Sequence, residues 1–240
     1  MKLLVSVVDV GEARTAAAAG ADIVDVKNPA EGSLGAPAPE VIAGVRAAVS
    51  SELPVSAAIG DMPDLPGTAA LAALGAARSG ATFVKVGLWG VSTEPDAVGL
   101  LRTVRDGVGD AVVVAAAYAD APRVAHAPLP PALLPRVARA AGVGSCLLDT
   151  AVKDGRGLLE WISPEALASL VAEAHAAGLQ MALAGALRAE DLAAVRDTGA
   201  DIVGVRSAAC HDGRRSGRLD EARVRALVAA CAVTPARAPG

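Results

Sequence analysis

Apolar residues along this chain gather in eight short runs rich in Val, Ile, Leu and Ala, centred on residues 3–9, 23–28, 54–60, 83–88, 111–117, 145–149, 180–185 and 202–206. Each run is followed by a longer segment in which Ala, Leu and Val recur at helical spacing among Glu and Arg: 11–19, 38–49, 66–79, 94–106, 130–141, 163–177, 188–198 and 219–232. Short β-branched runs bounded by Gly and Pro predict strands, and the periodic segments predict helices. The stretch "SPEAL" at Ser163 supplies a hydroxyl cap, a proline and an early acid, the signature of a helix start. Strict alternation of eight strands with eight helices predicts an α/β protein, a single (β/α)8 TIM barrel over residues 1–232, with "VTPARAPG" at 233–240 as a disordered tail. A doubly wound open sheet is the alternative, but the first strand–helix junction, "VVDVGEAR", lacks a glycine-rich nucleotide fingerprint.

A faint internal repeat supports the barrel. "GADIVDVK" begins at residue 20, "GATFVKVG" at 80, "GVGSCLLD" at 142 and "GADIVGVR" at 199, intervals of 60, 62 and 57 residues. Each interval is about two βα units, so the repeats fall on strands 2, 4, 6 and 8. Because strand residues alternate faces, alignment of the repeats predicts one inward layer of Asp25, Lys85, Leu147 and Gly204. Two residues further on, the next layer is Lys27, Gly87, Asp149 and Arg206. Charges therefore collect inside the C-terminal end of the barrel, where enzymes of this fold keep their chemistry. Asp9, Asp61 and Asp120, at or just past the ends of odd strands, and Lys153 after strand 6 are expected at the same mouth.

Composition narrows the class. Apolar residues make up 53% of the chain and aromatics 2%, so the core is aliphatic and base stacking has little to work with. A formal charge of −4 offers no basic field for nucleic acid or an anionic membrane, which leaves small molecules as partners. The opening "MKLLVSVVDVGEAR" meets Asp9 too early for a signal-peptide core, and no later run spans a membrane, which predicts a cytoplasmic protein. Cys146, Cys210 and Cys231 form no CxxC pair, and His126, His175 and His211 have no ligand spacing, so neither a disulfide framework nor a metal site is expected. Ser6 and Ser56 have no adjacent histidine base, which removes support for a hydrolase triad.

Lysine usage carries more information. The chain has four lysines against eighteen arginines, and apart from Lys2 they are Lys27, Lys85 and Lys153, all expected at the barrel mouth. Arginine pairs better with carboxylates, whereas only lysine readily loses its proton and attacks a carbonyl to form an imine. Burial and neighbouring cations favour that chemistry, while Asp25 opposes it by holding the ammonium. A buried ladder of Lys/Asp pairs that merely fills the barrel is the other reading. Following Lys27, "NPAEGSLGAP" at 28–37 carries two glycines and Ser33 and reads either as a ligand-covering lid or as an ordinary loop. Gly185 in "ALAGAL" and Arg206 with Ser207 in "GVRSAAC" end strands 7 and 8, whose loops are the usual phosphate site of this fold. Tyr118 ends strand 5 beside Asp120 as a proton donor or a wall.

The stretches "DIVDVKNPAEGSLGA", "PVSAAIGD", "FVKVGLWG", "LLDTAVKDG", "ALAGAL" and "DIVGVRSAAC" together resemble the (5-formylfuran-3-yl)methyl phosphate synthase family over roughly residues 1–230. The resemblance implies a TIM-barrel carbon–oxygen lyase that converts two molecules of glyceraldehyde 3-phosphate into a furan aldehyde phosphate, with loss of phosphate and water, on the way to methanofuran-type cofactors. It implies no metal and no organic cofactor, and allows a homo-oligomer. It makes Lys27 the Schiff-base lysine and Lys85 the proton acceptor, with Asp25, Asp149 and Lys153 in the same site. Departures are Trp89 in "GLWG", where tyrosine is frequent, and the details of "HDGRRSG" after strand 8. A class I aldolase giving an uncyclised sugar phosphate needs the same imine lysine, and a barrel that only binds phosphorylated metabolites is the non-catalytic alternative.

Overall fold

The computed structural model describes residues 1–125 and 128–232. The expected tail at 233–240 and the expected loop residue His126 lie outside them. Eight parallel strands close into one barrel in chain order: β1 Lys2–Val7, β2 Ile23–Val26, β3 Val55–Pro63, β4 Phe83–Gly90, β5 Val112–Tyr118, β6 Ser145–Asp149, β7 Gln180–Leu183 and β8 Ile202–Val205. Eight helices follow them: α1 Val10–Ala18, α2 Pro39–Ala48, α3 Pro66–Arg78, α4 Glu94–Gly107, α5 Leu134–Ala141, α6 Pro164–Ala176, α7 Leu192–Asp197 and α8 Glu221–Ala232. This is the predicted (β/α)8 barrel. No helix among the described residues is long and apolar enough to cross a membrane.

The helix starts follow their local chemistry. Asp9 caps α1 by accepting from the Glu12 N–H, Thr93 caps α4 and Ser163 caps α6, the last two with proline in the first turn. Two helices begin later than their periodicity suggests. Pro131–Leu133 and Ala189–Asp191 form 3-10 turns before α5 and α7, since the "PPALLP" prolines and the Arg188/Asp191 turn prevent a full α-helical start. β3 and β4 run past their expected ends instead. Gly60, at φ +114°, turns the backbone through a bulge, after which Asp61 pairs with Gly87 and Pro63 with Gly90.

The two faces of each strand serve different layers. Val5, Val7, Val24, Val26, Val84 and Val86 point outward and are buried under the helices, and most of the aliphatic core lies in that shell. Full burial of such a side chain is worth about 1.5–3 kcal/mol, so the shell carries the fold. The interior holds a smaller cluster that includes Ile23, Ala58, Val114, Ala116, Leu147, Ala182 and Ile202. Alanine is too short to fill a barrel, and the space left over it at the C-terminal end is where the charged side chains stand.

Candidate active site

β2 explains why charged residues sit in an apolar run. All four of its residues are buried: Val24 and Val26 face the helices, Ile23 and Asp25 face the interior, and Lys27, just past the strand end, continues the inward row. A cavity of about 290 Å³ opens above the interior cluster, lined by Ser6, Asp25, Lys27, Lys85, Asp149 and Lys153 together with the ends of β7 and β8. The two predicted inward layers are therefore in place.

Two of the three lysines are paired. Lys85 Nζ lies 2.5 Å from Asp25 Oδ1, off the line of a hydrogen bond, so that this oxygen has a charge partner without an aligned donor. Asp25 Oδ2 accepts from Ser6 Oγ at 2.9 Å. Lys153 Nζ donates to Asp149 Oδ1 at 2.8 Å and to Thr150 O at 2.6 Å. Burial alone would raise the Asp149 pKa, but the Lys153 and Lys27 ammonium groups and the Thr150 N–H bring it down to about 2. Lys27 is 8% exposed, and its side-chain amine makes no ion pair or hydrogen bond among the described residues. Burial pushes its pKa down, Lys85 and Lys153 add to the effect, Asp149 and Asp25 oppose it, and the result is about 7. An unpaired amine thus stands between two lysines that each have a carboxylate.

The cavity is one-sided, with no lining from β3 or β5. The loop after β2 covers that half. Ser33 and Leu34 donate their N–H groups to Asp61 at 2.9 and 3.3 Å, and Ser33 Oγ donates to Thr150 O at 2.8 Å on the far side of the mouth. Leu34 is fully buried over Gly87. Tyr118 Oη donates to Asp61 beneath the loop, and a Cβ on Gly87 would lie 2.3 Å from that hydroxyl. Burial and Asp61 raise the Tyr118 pKa well above the ordinary phenol value, so it stays protonated as a wall. Ser33, expected against a ligand, does not line the cavity, and its hydroxyl is already bonded.

The acids at the odd strand ends hold loops. Asp9 caps α1 and pairs with Arg218, Asp61 anchors the β2 loop, and Asp120 accepts from the N–H groups of Ala151 and Val152 at 2.6 and 2.8 Å. Asp120 thereby fixes the loop that carries Lys153. Further along, Trp161 lies 5.6 and 5.1 Å from the guanidinium carbons of Arg123 and Arg156, and both arginines pair with Asp154.

Gly185 and Ser207 line the cavity. Gly185 has φ +114°, and a Cβ there would meet Thr150 at 2.9 Å, so only glycine lets β7 end against the Lys153 loop. Ala186 has φ +48°, the one non-glycine in that region among the described residues. The N–H groups of Ala186, Leu187 and Ser207 have no acceptor among the described residues. Arg206 also reaches the cavity wall but is held differently from the expected anion grip. Its guanidinium pairs with buried Glu12 and donates to Ser6 O, Arg215 O and Gly217 O. The sequence reading missed Ser6, Thr150 and Arg215. The period-2 pattern marks Ser6 as inward, and "RRSG" after β8 is a visible basic turn, but neither reveals its contacts. Among the described residues, no group of three or more His, Cys, Asp or Glu is arranged to hold a metal ion.

Comparison with known proteins identifies the family. The family model described as 4-HFC-P synthase matches residues 3–228. The (5-formylfuran-3-yl)methyl phosphate synthase of Methanocaldococcus jannaschii is 50% identical over 236 residues, covering 96% of this chain and all of that protein. The synthase of the same name from Methanococcus maripaludis is 49% identical, covering 96% and 99%. Phosphoribosyl anthranilate isomerase from Thermus thermophilus shares the fold with a TM-score of 0.62 at 17% identity, over 97% of this chain and 98% of that one. The chain belongs to the 4-HFC-P synthase family.

Proposed function

We propose that this protein is a (5-formylfuran-3-yl)methyl phosphate synthase that joins two molecules of glyceraldehyde 3-phosphate through an imine on Lys27. The carrying observation is the amine of Lys27, unpaired, buried in the cavity and with its pKa lowered to about 7. Half of it is neutral near pH 7 and able to attack an aldehyde. The cationic imine then acidifies the adjacent C–H, and Lys85, inward-facing on β4, takes that proton as its neutral amine, having first passed its own proton to Asp25 or to water. Asp25 supports this role because its carboxylate, held by Ser6, stabilises the ammonium that results. The carbon nucleophile joins the second triose. Atom balance from two triose phosphates to the furan requires loss of one phosphate and two waters, and the Asp149–Lys153 pair is the proton source and sink for those departures.

The N–H groups of Ala186, Leu187 and Ser207, at the ends of β7 and β8, suit a phosphate oxygen. A carbon–oxygen lyase of this kind needs no cofactor beyond these side chains. Incubation of the protein with glyceraldehyde 3-phosphate alone should yield inorganic phosphate and a product absorbing in the near ultraviolet. Borohydride should leave a triose adduct on Lys27, and Lys27→Arg should abolish turnover because guanidinium forms no imine. An uncyclised sugar phosphate as the product would make the protein an aldolase. An unchanged protein mass with no product would make it a binding barrel.

A further inference from the structure

Three arginines after β8 line the cavity, Arg206, Arg214 and Arg215. Arg214 is exposed and paired with Asp212, and hydrogen bonds separate the roles of the other two. Arg206 has five N–H groups and all five end on protein acceptors: Nε on Arg215 O at 3.0 Å, Nη1 on Ser6 O at 3.0 Å and on Glu12, Nη2 on Glu12 Oε1 at 3.2 Å and on Gly217 O at 2.7 Å. A guanidinium so occupied cannot take an anion without breaking an existing bond. Two of those bonds fasten residues 215 and 217 of the turn that presents Arg215.

Arg215 is the opposite case. Its Nη2 donates to Gly32 O at 2.5 Å and to Ser33 O at 3.3 Å, which points the side chain over the cavity it lines. Nε is sealed from solvent with no acceptor, and Nη1, also without an acceptor among the described residues, is not sealed. A buried donor left unbonded is costly. The cavity it lines is the one that holds Lys27, Lys85 and Lys153, and Asp149 and Asp61 both act on its charge.

We propose that Arg215 grips the phosphate of a bound triose through Nη1, and that Arg206 and Glu12 are positioning residues that hold Arg215 in place. This rests on the reading of the site as one for phosphorylated trioses. It transfers the role expected of Arg206 to its neighbour in space nine residues on. Because the same guanidinium holds the loop that leaves Lys27, phosphate contact and the placement of the carbonyl over the amine are set by one side chain.

The test uses the full chain with inorganic phosphate, a product of the proposed reaction, as the probe. Calorimetric titration should show phosphate binding to the wild type, weakened roughly 10- to 100-fold in Arg215→Gln and partly restored in Arg215→Lys, which keeps the charge without the fork. In parallel, cyanoborohydride capture on Lys27 at subsaturating aldehyde should fall by a similar factor for glyceraldehyde 3-phosphate while changing less than about twofold for glyceraldehyde. Phosphate binding that is absent from the wild type, or equal in the wild type and Arg215→Gln, overturns the proposal. So does an equal loss of capture for both aldehydes, which would mark Arg215 as a loop tie only. The titration involves no reaction, so the absence of any Lys27 adduct in the wild type would remove the imine reading while the titration still decides Arg215.

Discussion

The charge state of Lys27 makes a quantitative prediction about pH. With its pKa near 7 in place of 10.5, about half of the amine is neutral at pH 7, against roughly one part in three thousand for an ordinary lysine. That gain of about a thousandfold in reactive amine is reduced somewhat by lower basicity, but it dominates. The expected observation is a rate of aldehyde capture on Lys27, read by cyanoborohydride trapping and peptide mass spectrometry, that rises with pH and levels off just above neutrality. Asp149→Asn removes the carboxylate that most strongly favours the ammonium, so the midpoint should move to lower pH. Stability gives an independent reading of the same shift. The native state binds fewer protons than the unfolded chain between about pH 7 and 10.5, so this group's contribution to stability rises with pH across that window and is least favourable below it. Holding the amine there costs on the order of 5 kcal/mol below pH 7. Lys27→Met should therefore be more stable than the wild type at neutral and acidic pH, by a few kcal/mol, and should lose that advantage above pH 10.5. A capture midpoint above pH 9, or a Lys27→Met variant that melts below the wild type at pH 6, would refute the electrostatic argument.

Two substitutions probe the supports of the site. Gly87→Ala drives a Cβ to 2.3 Å from the Tyr118 hydroxyl and 3.0 Å from Gly60 O, so it should destabilise the protein by about 1–3 kcal/mol in chemical denaturation. It should also change the fluorescence of Trp89, which packs edge-on against Tyr118 at 5.5 Å. Glu12→Gln leaves the buried Arg206 charge without its partner and should cost about 3–5 kcal/mol. Hydrogen exchange should then quicken in the turn at 213–217, whose carbonyls Arg206 holds; unchanged protection there would show that the turn stands without the pair.

The barrel was legible in the sequence because two periodicities and a repeat agree on it, and the inward lysines and aspartates followed from alternation alone. Asp25, Lys27, Lys85 and Asp149 needed only their strand positions, since a closed barrel sends every second residue inside. What the pattern cannot carry is whether a polar group already has partners. Arg206 looks like an anion ligand until Glu12, 194 residues away, occupies it. Ser33 looks free until Thr150, 117 residues on, takes its hydroxyl. Asp61 and Asp120 read as acids at a mouth, although each is committed to two backbone N–H groups of a neighbouring loop. Bonds of this kind depend on closure of the barrel, so short-range spacing does not encode them.

The β2 loop that bridges the mouth from Asp61 to Thr150 has a consequence for selection among substrates. A rim fastened at both ends does not have to gather itself around a visitor, so little affinity is lost to ordering it. By the same token it yields little. The half of the mouth left open therefore sets the girth of whatever is to reach the Lys27 amine.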